Sequence, residues 1–163
     1  MTYYDKNENT GLAIAKDHIE KWDGHRVEGT PPQTGFDAIL YTEKEGMFFL
    51  EFKMRDCSST DYKPTEYFIK KSKVDFMYRL NKKRSFLIYM LTDCWFMFRI
   101  DNIVNRPYFI REVKDPGESV KQGKTVMVKE ENYFLNLEEG LRYDYDDPEN
   151  VKKLIKESIK RDL

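Results

Sequence analysis

The sequence predicts an α/β (α+β) protein: a mixed central β-sheet flanked by helices, then a β-rich C-terminal extension and a terminal helix. Three observations predict it. Apolar residues recur at helical spacing in residues 10–22 and 65–83. Between and after those stretches, short apolar runs alternate at period two and are broken by Gly, Pro, Asn and Asp. The 163 residues are 40% hydrophobic and 15% aromatic, which suits one folded domain over 1–163, with a core at about 10–100 and an extension at about 101–163.

The first helix opens at Thr10 as N-cap, carries Leu12, Ala15, Ile19 and Trp22 on one stripe, and stops at Asp23-Gly24. A short strand over residues 25–28 leads into a breaker-rich loop, Gly29-Thr30-Pro31-Pro32-Gln33-Thr34-Gly35. Residues 36–42 and 47–54 then pair as a hairpin around Glu43-Lys44-Glu45-Gly46. Period two puts Phe48, Leu50, Phe52 and Met54 on one face of the second strand, and Glu51 and Lys53 on the other. Asp37, Ile39 and Tyr41 share a face of the first. A polar loop, 55–64, precedes the second helix, 65–83, with Phe68 or Ile69, Phe76, Met77 and Leu80 as its stripe. Residues 85–91 read as a buried strand that turns at Thr92-Asp93-Cys94 into 95–100, where Trp95, Phe96 and Phe98 alternate into the core. Residues 108–113, 125–129 and 133–137 read as peripheral strands, with a turn at Asp115-Pro116-Gly117. A helix over 148–161 closes the chain, its proline in the first turn.

The formal net charge is only −1, so any basic surface is local and is balanced elsewhere, as by the run from Glu138 to Glu149, which reads as a solvated linker. Cys57 and Cys94 stand alone, without the spacing of a zinc site, and His18 and His25 are too isolated to pair on a metal. The opening MTYYDKNENT has no apolar leader, and no run is long enough to cross a bilayer. The expectation is a cytoplasmic protein with reduced thiols, no membrane association and no nucleotide cofactor.

The hairpin carries chemistry. Hydrolysis of a phosphodiester uses a divalent cation to stabilise charge at phosphorus and to acidify the attacking water. Magnesium takes oxygen ligands and keeps several waters, so one or two carboxylates suffice, and a nearby lysine can orient or deprotonate the water. Glu51 and Lys53 lie two apart on one strand face, about 7 Å between Cα atoms. Asp37 opens the adjacent antiparallel strand, and the turn brings it beside them. The carbonyl of Phe52 can add a metal ligand. In a chain that is 35% charged, a Glu-x-Lys is commonly a surface ion pair, and Glu112-Val113-Lys114 is a second copy with Asp101 upstream. Context separates the two: residues 51–53 lie in an apolar strand that precedes a basic helix, whereas Glu112 runs into a turn. Lys70, Lys71, Lys73, Lys82, Lys83 and Arg84 can track phosphates or simply be solvated. Tyr62, Tyr67, Tyr78 and Tyr89 can stack on bases or fill the core.

The order helix, strand, loop with Gly35-Phe36-Asp37, strand with Leu50-Glu51-Phe52-Lys53, loop, helix, strand resembles the PD-(D/E)xK nuclease superfamily, with its restriction-endonuclease-like core. Within it, the pattern is most similar to archaeal and phage Holliday-junction resolvases and related VRR-type nucleases. The resemblance implies a Mg2+-dependent (or Mn2+-dependent) DNA endonuclease of recombination or repair. Asp37 and Glu51 would hold the metal, and Lys53 would orient the water. A residue of the following helix would face the site, either Lys73 or Lys70 one turn earlier. Thr30 or Thr34 would approach the DNA backbone, alongside Lys70, Lys71 and Lys73. The family's first-helix glutamate falls at Ala13, leaving Glu8, Asp17 and Glu20 as substitutes, and Phe36 stands where the family name has proline. Resolvases act on branched DNA as symmetric dimers, so a homodimer is implied, with Tyr108, Phe109, Tyr133 and Phe134 expected in its two-fold interface. The small size suits a phage-encoded enzyme in a bacterial host. The missing acid also leaves open a catalytically silent nuclease-fold protein that binds nucleic acid or a protein, although such a relative has no chemical need for Asp37, Glu51 and Lys53.

Overall fold

A computed structural model describes residues 3–31, 33–61 and 67–159. Tyr62 and the predicted helix ends at Thr65 and Arg161 lie outside the described residues. The elements are α1 (Tyr3–Ile19), β1 (His25–Gly29), β2 (Ala38–Thr42), β3 (Gly46–Met54), β4 (Phe68–Lys70), α2 (Lys71–Asn81), β5 (Ser85–Met90), β6 (Cys94–Arg99), β7 (Tyr108–Lys114), α3 (Pro116–Gln122), β8 (Met127–Phe134), β9 (Leu141–Asp144) and α4 (Pro148–Ile159).

The main sheet runs β1-β2-β3-β5-β6-β9 and is mixed. Only its β3–β5 pair is parallel, and such a pair needs a crossover, which α2 supplies. Side chains of β5 alternate between two cores. Leu87 and Tyr89 pack with Val74 and Met77 of α2 on one face. Ile88 and Met90 pack on the other with Ile14, Ala15 and Ile19 of α1 and with Val151 and Ile155 of α4. Burying one such aliphatic side chain stabilises the fold by about 2 kcal/mol. His18 fills a niche in the second core, its Nδ1 2.8 Å from the Ile14 carbonyl and its ring against Trp95, Tyr143 and Tyr145. A smaller sheet, β4-β8-β7, covers the outer end of α2.

Several predicted elements differ from the observed ones. The first helix begins earlier and ends at Ile19, because its polar opening turns show no apolar stripe; Trp22 lies beyond it, against His25. The stretch 68–70 is strand, not helix, since Phe68, Ile69 and Lys70 pair with Phe134, Tyr133 and Asn132 of β8. Tertiary pairing there overrides a helical spacing. The two predicted strands 125–129 and 133–137 are one strand, β8. Asp115-Pro116-Gly117 is not a bare turn. Asp115 caps α3 by accepting the Glu118 N–H, with Pro116 in the first turn. Within the acidic run, Leu141–Asp144 adds an edge strand to β6, and Tyr143 stacks on Trp95.

Candidate active site

The site lies where β2 stops pairing with β3. Their ladder runs as far as Ala38 opposite Leu50, and the Asp37 N–H then donates to the Leu50 carbonyl at 2.9 Å. At the next ladder position there is no strand partner, and the Asp37 carboxylate takes its place: Oδ2 accepts the Phe52 N–H at 2.8 Å. Alternation along β3 directs the Leu50 and Phe52 carbonyls to the same side, so the Phe52 carbonyl points past the end of β2 beside Asp37.

Glu51 and Lys53 project to the face covered by α2. Lys73, in the first turn of α2, reaches back to Glu51 Oε1 at 3.2 Å and donates to the Gly35 carbonyl at 3.0 Å. The Glu51 side chain is only 12% exposed, and its second oxygen, Oε2, is buried with no hydrogen-bond partner. Burial, then the nearby charge of Asp37, pushes the Glu51 carboxyl up to about 8 against the pull of Lys73. Burial raises Asp37 too, opposed by the Phe52 N–H and by Lys73. Burial lowers Lys53, and Arg55 adds to the effect. Burial is the largest cause of all three shifts, so the site is a desolvated pocket holding two acids and a lysine.

The loop before Asp37 is fixed by its own hydrogen bonds. The Thr30 N–H donates to the Asp37 carbonyl at 3.0 Å and its hydroxyl to the Phe36 carbonyl, while the Thr34 hydroxyl bonds the Pro31 carbonyl at 2.6 Å. Gly35 has φ +96°, and a Cβ there would lie 2.6 Å from the Phe76 ring, so only glycine fits.

Of the sequence-predicted residues, Asp37, Glu51, Lys53, Lys73 and the Phe52 carbonyl converge. Lys70 ends β4 of the small sheet and pairs with Glu130 at 3.6 Å. Lys71 turns aside to Asp75 at 2.6 Å, near the Tyr108 and Tyr133 rings. Arg84, at the other end of α2, donates to the Met47 carbonyl at 3.1 Å, and Lys82 lies over Tyr78. Glu112 is on the exposed face of the small sheet, opposite Lys129. Along α1, Gly11 packs on the Phe52 side chain, and Glu8, inside the helix and with partners of its own, is one turn back on that face. Ala13 is exposed, while Asp17 and Lys21 join Asp146 near the other end of α1. Sequence reading missed Arg55, Arg111 and Glu130, which set the field around Lys53 from three different segments.

The described residues contain no group of three or more His, Cys, Asp or Glu side chains arranged to hold a metal. The donors at hand are two carboxylates and a main-chain carbonyl. All are hard oxygens, the kind magnesium takes, and a buried carboxylate oxygen without a partner is the group such an ion would satisfy.

The fold is a mixed sheet flanked by helices, with paired carboxylates and lysines where β2 ends. Among solved structures it is similar to Hjc of Archaeoglobus fulgidus, a Holliday junction resolvase from an archaeal hyperthermophile. The TM-score is 0.54 at 11% identity, over 83% of this chain and 90% of that one, a likeness of fold. No protein-family model matches the sequence, and no curated protein is similar to it.

Proposed function

We propose that the chain is a divalent-metal-dependent DNA endonuclease of the resolvase type, cutting branched DNA in recombination or repair. The observation that carries the reading is the Glu51 carboxylate, buried beside Asp37 with one oxygen unpartnered and flanked by Lys53 and Lys73. A purely structural ion pair would leave no such oxygen. Asp37, Glu51 and the Phe52 carbonyl would hold Mg2+ or Mn2+, which when bound acidifies water and offsets charge at phosphorus.

The chain's own residues do the rest. The Phe52 N–H fixes Asp37, and Lys73 fixes Glu51 through the same ammonium that anchors the Gly35 loop. Lys53, its ammonium disfavoured by burial, can orient the attacking water and accept its proton. Glu8 would be the α1 acid that completes the set, in preference to Asp17 or Glu20. Thr30 and Thr34 would flank the DNA backbone, and Lys70 would contact phosphate.

The enzyme would act as a homodimer. The four aromatics expected at its interface divide between the faces of the small sheet: Tyr108 and Tyr133 on one, Phe109 and Phe134 on the other. Tyr133 is buried and donates to Asp75. The interface would therefore form on the face where Tyr108, Ile110 and Met127 are exposed.

Only two acids converge on the catalytic strand, which favours a second reading, a silent nuclease-fold binder. The test is cleavage of labelled four-way junction, flap, duplex and single-stranded DNA with Mg2+ or Mn2+. Cleavage lost in Lys53→Ala and kept in Glu112→Ala is the expected result. No cleavage of any substrate with either metal would leave the binder.

A further inference from the structure

One face of the small sheet carries, beside Lys70, charge and aromatic surface to which the cleavage reading assigns no part. In register across β4, β8 and β7 stand Phe68 with Phe134, Lys70 with Asn132 and Phe109, and Glu130 with Arg111. The Arg111 guanidinium lies 4.3 Å from the Phe68 ring centre, and that of Arg55, just past the catalytic strand, lies 5.8 Å from it. Glu130 takes Arg111 at 3.0 Å and Lys70 at 3.6 Å, so one acid is shared by two cations. Lys53 is within the electrostatic reach of Arg55, Arg111 and Glu130, which joins this face to the candidate site. Phe109 and Phe134 stack at 4.2 Å, and Phe134 is 44% exposed. Asn132 is buried between them and the cations, its Oδ1 unpartnered.

We propose that this face seats an unpaired DNA strand leaving the cleavage point, with Arg55, Lys70 and Arg111 on its phosphates and a base on the Phe109–Phe134 pair. The inference deepens the nuclease reading and depends on it. Excess cationic charge fits a phosphate backbone, and Arg grips phosphate in a fixed fork. The exposed ring pair selects the unpaired form, because bases within a duplex keep their faces stacked and offer none to a protein ring. The substrate class is therefore DNA with a single-stranded arm at the cut.

Fluorescence anisotropy on the full chain without metal tests this, using a plain duplex and the same duplex with a mixed-sequence single-stranded arm. Wild type should prefer the armed duplex. Phe134→Ala should lower that preference about tenfold, and Arg111→Gln should reduce the slope of log affinity against log salt by about one. Lys70→Gln, whose side chain is 59% exposed and removable without disturbing packing, should reduce the slope likewise and guards against loss of fold in Arg111→Gln. Equal affinity for the two duplexes, or variants that match wild type, overturns the inference while junction cleavage by wild type upholds the nuclease reading. Absence of binding to either DNA overturns the inference, and absence of junction cleavage besides overturns the nuclease reading.

Discussion

Replacing Glu51 by glutamine should stabilise the metal-free protein, and the size of the gain can be worked from the site. Glu51 is 12% exposed, and its carboxyl is pushed up to about 8 by burial and by Asp37. In the unfolded chain it ionises near 4.5. Between these values the unfolded state has released a proton that the folded state keeps. The contribution of this group is therefore complete below pH 4.5 and is lost as pH rises toward 8. Each tenfold fall in proton concentration within that window removes up to about 1.4 kcal/mol, so about 3 kcal/mol is gone by pH 7. Glutamine cannot ionise, but its amide needs partners in the same niche, at a cost of about 1 kcal/mol. The net gain of about 2 kcal/mol corresponds to a melting temperature roughly 5 °C higher at neutral pH. Differential scanning calorimetry in chelator should show that gap and its closure near pH 4.5. Millimolar Mg2+ or Mn2+ should raise the melting temperature of the wild type and leave Glu51→Gln unmoved. A variant that melts below wild type at neutral pH in chelator, or one that metal stabilises equally, would refute the reasoning.

Three further outcomes follow from the same geometry. Gly35→Ala forces a side chain into the left-handed region and against Phe76, and thermal unfolding should show a loss of about 2 kcal/mol or more. Because the Gly35 carbonyl anchors Lys73, cleavage should fall with it. Lys73→Met removes the cation that opposes the rise in Glu51, so the decline of metal-free stability with pH, followed by urea titration, should continue above pH 8, where the wild type levels off. Ile110→Asp places a charge on the exposed face of β7 that carries Tyr108, and sedimentation velocity should show a dimer turned into monomer without loss of fold.

Much of this arrangement was legible in the sequence because it is local. The hairpin register follows from period two and from a turn closed at Gly46, so Asp37, Glu51 and Lys53 converge as the spacing requires. Lys73 was legible as one of two residues a helical turn apart, and its partner at Glu51 separates it from Lys70. The illegible parts are non-local. Residues 68–70 carry a helical apolar spacing, yet they pair with a strand more than sixty residues later in the chain. Lys53 is perturbed by burial first and then by charges that include Arg55, Arg111 and Glu130, and the last two are brought near only by the small sheet. Tyr133 was expected in a two-fold interface, but it is buried against α2, its hydroxyl donating to Asp75.

The place where β2 ends explains why the proposed ligands gather there. A strand that continued past Ala38 would offer a backbone carbonyl to the Phe52 N–H. The irregular loop instead leaves that donor to Asp37 Oδ2. The substitution satisfies the ladder and brings the other Asp37 oxygen and the Phe52 carbonyl to one side of β3. Both face the space that the missing strand would have filled. Glu51 stands on the adjoining position, desolvated by α2 and held by Lys73. The same termination that spares β3 an unsatisfied donor thus gathers three oxygens beside Lys73, with Glu51 Oε2 buried and unpartnered. Asp37→Asn separates the two roles. Its amide oxygen can still accept the Phe52 N–H, so the fold should survive, while metal-induced stabilisation should drop at least tenfold in apparent affinity. A variant that binds metal as wild type does would mean that Asp37 serves only the ladder.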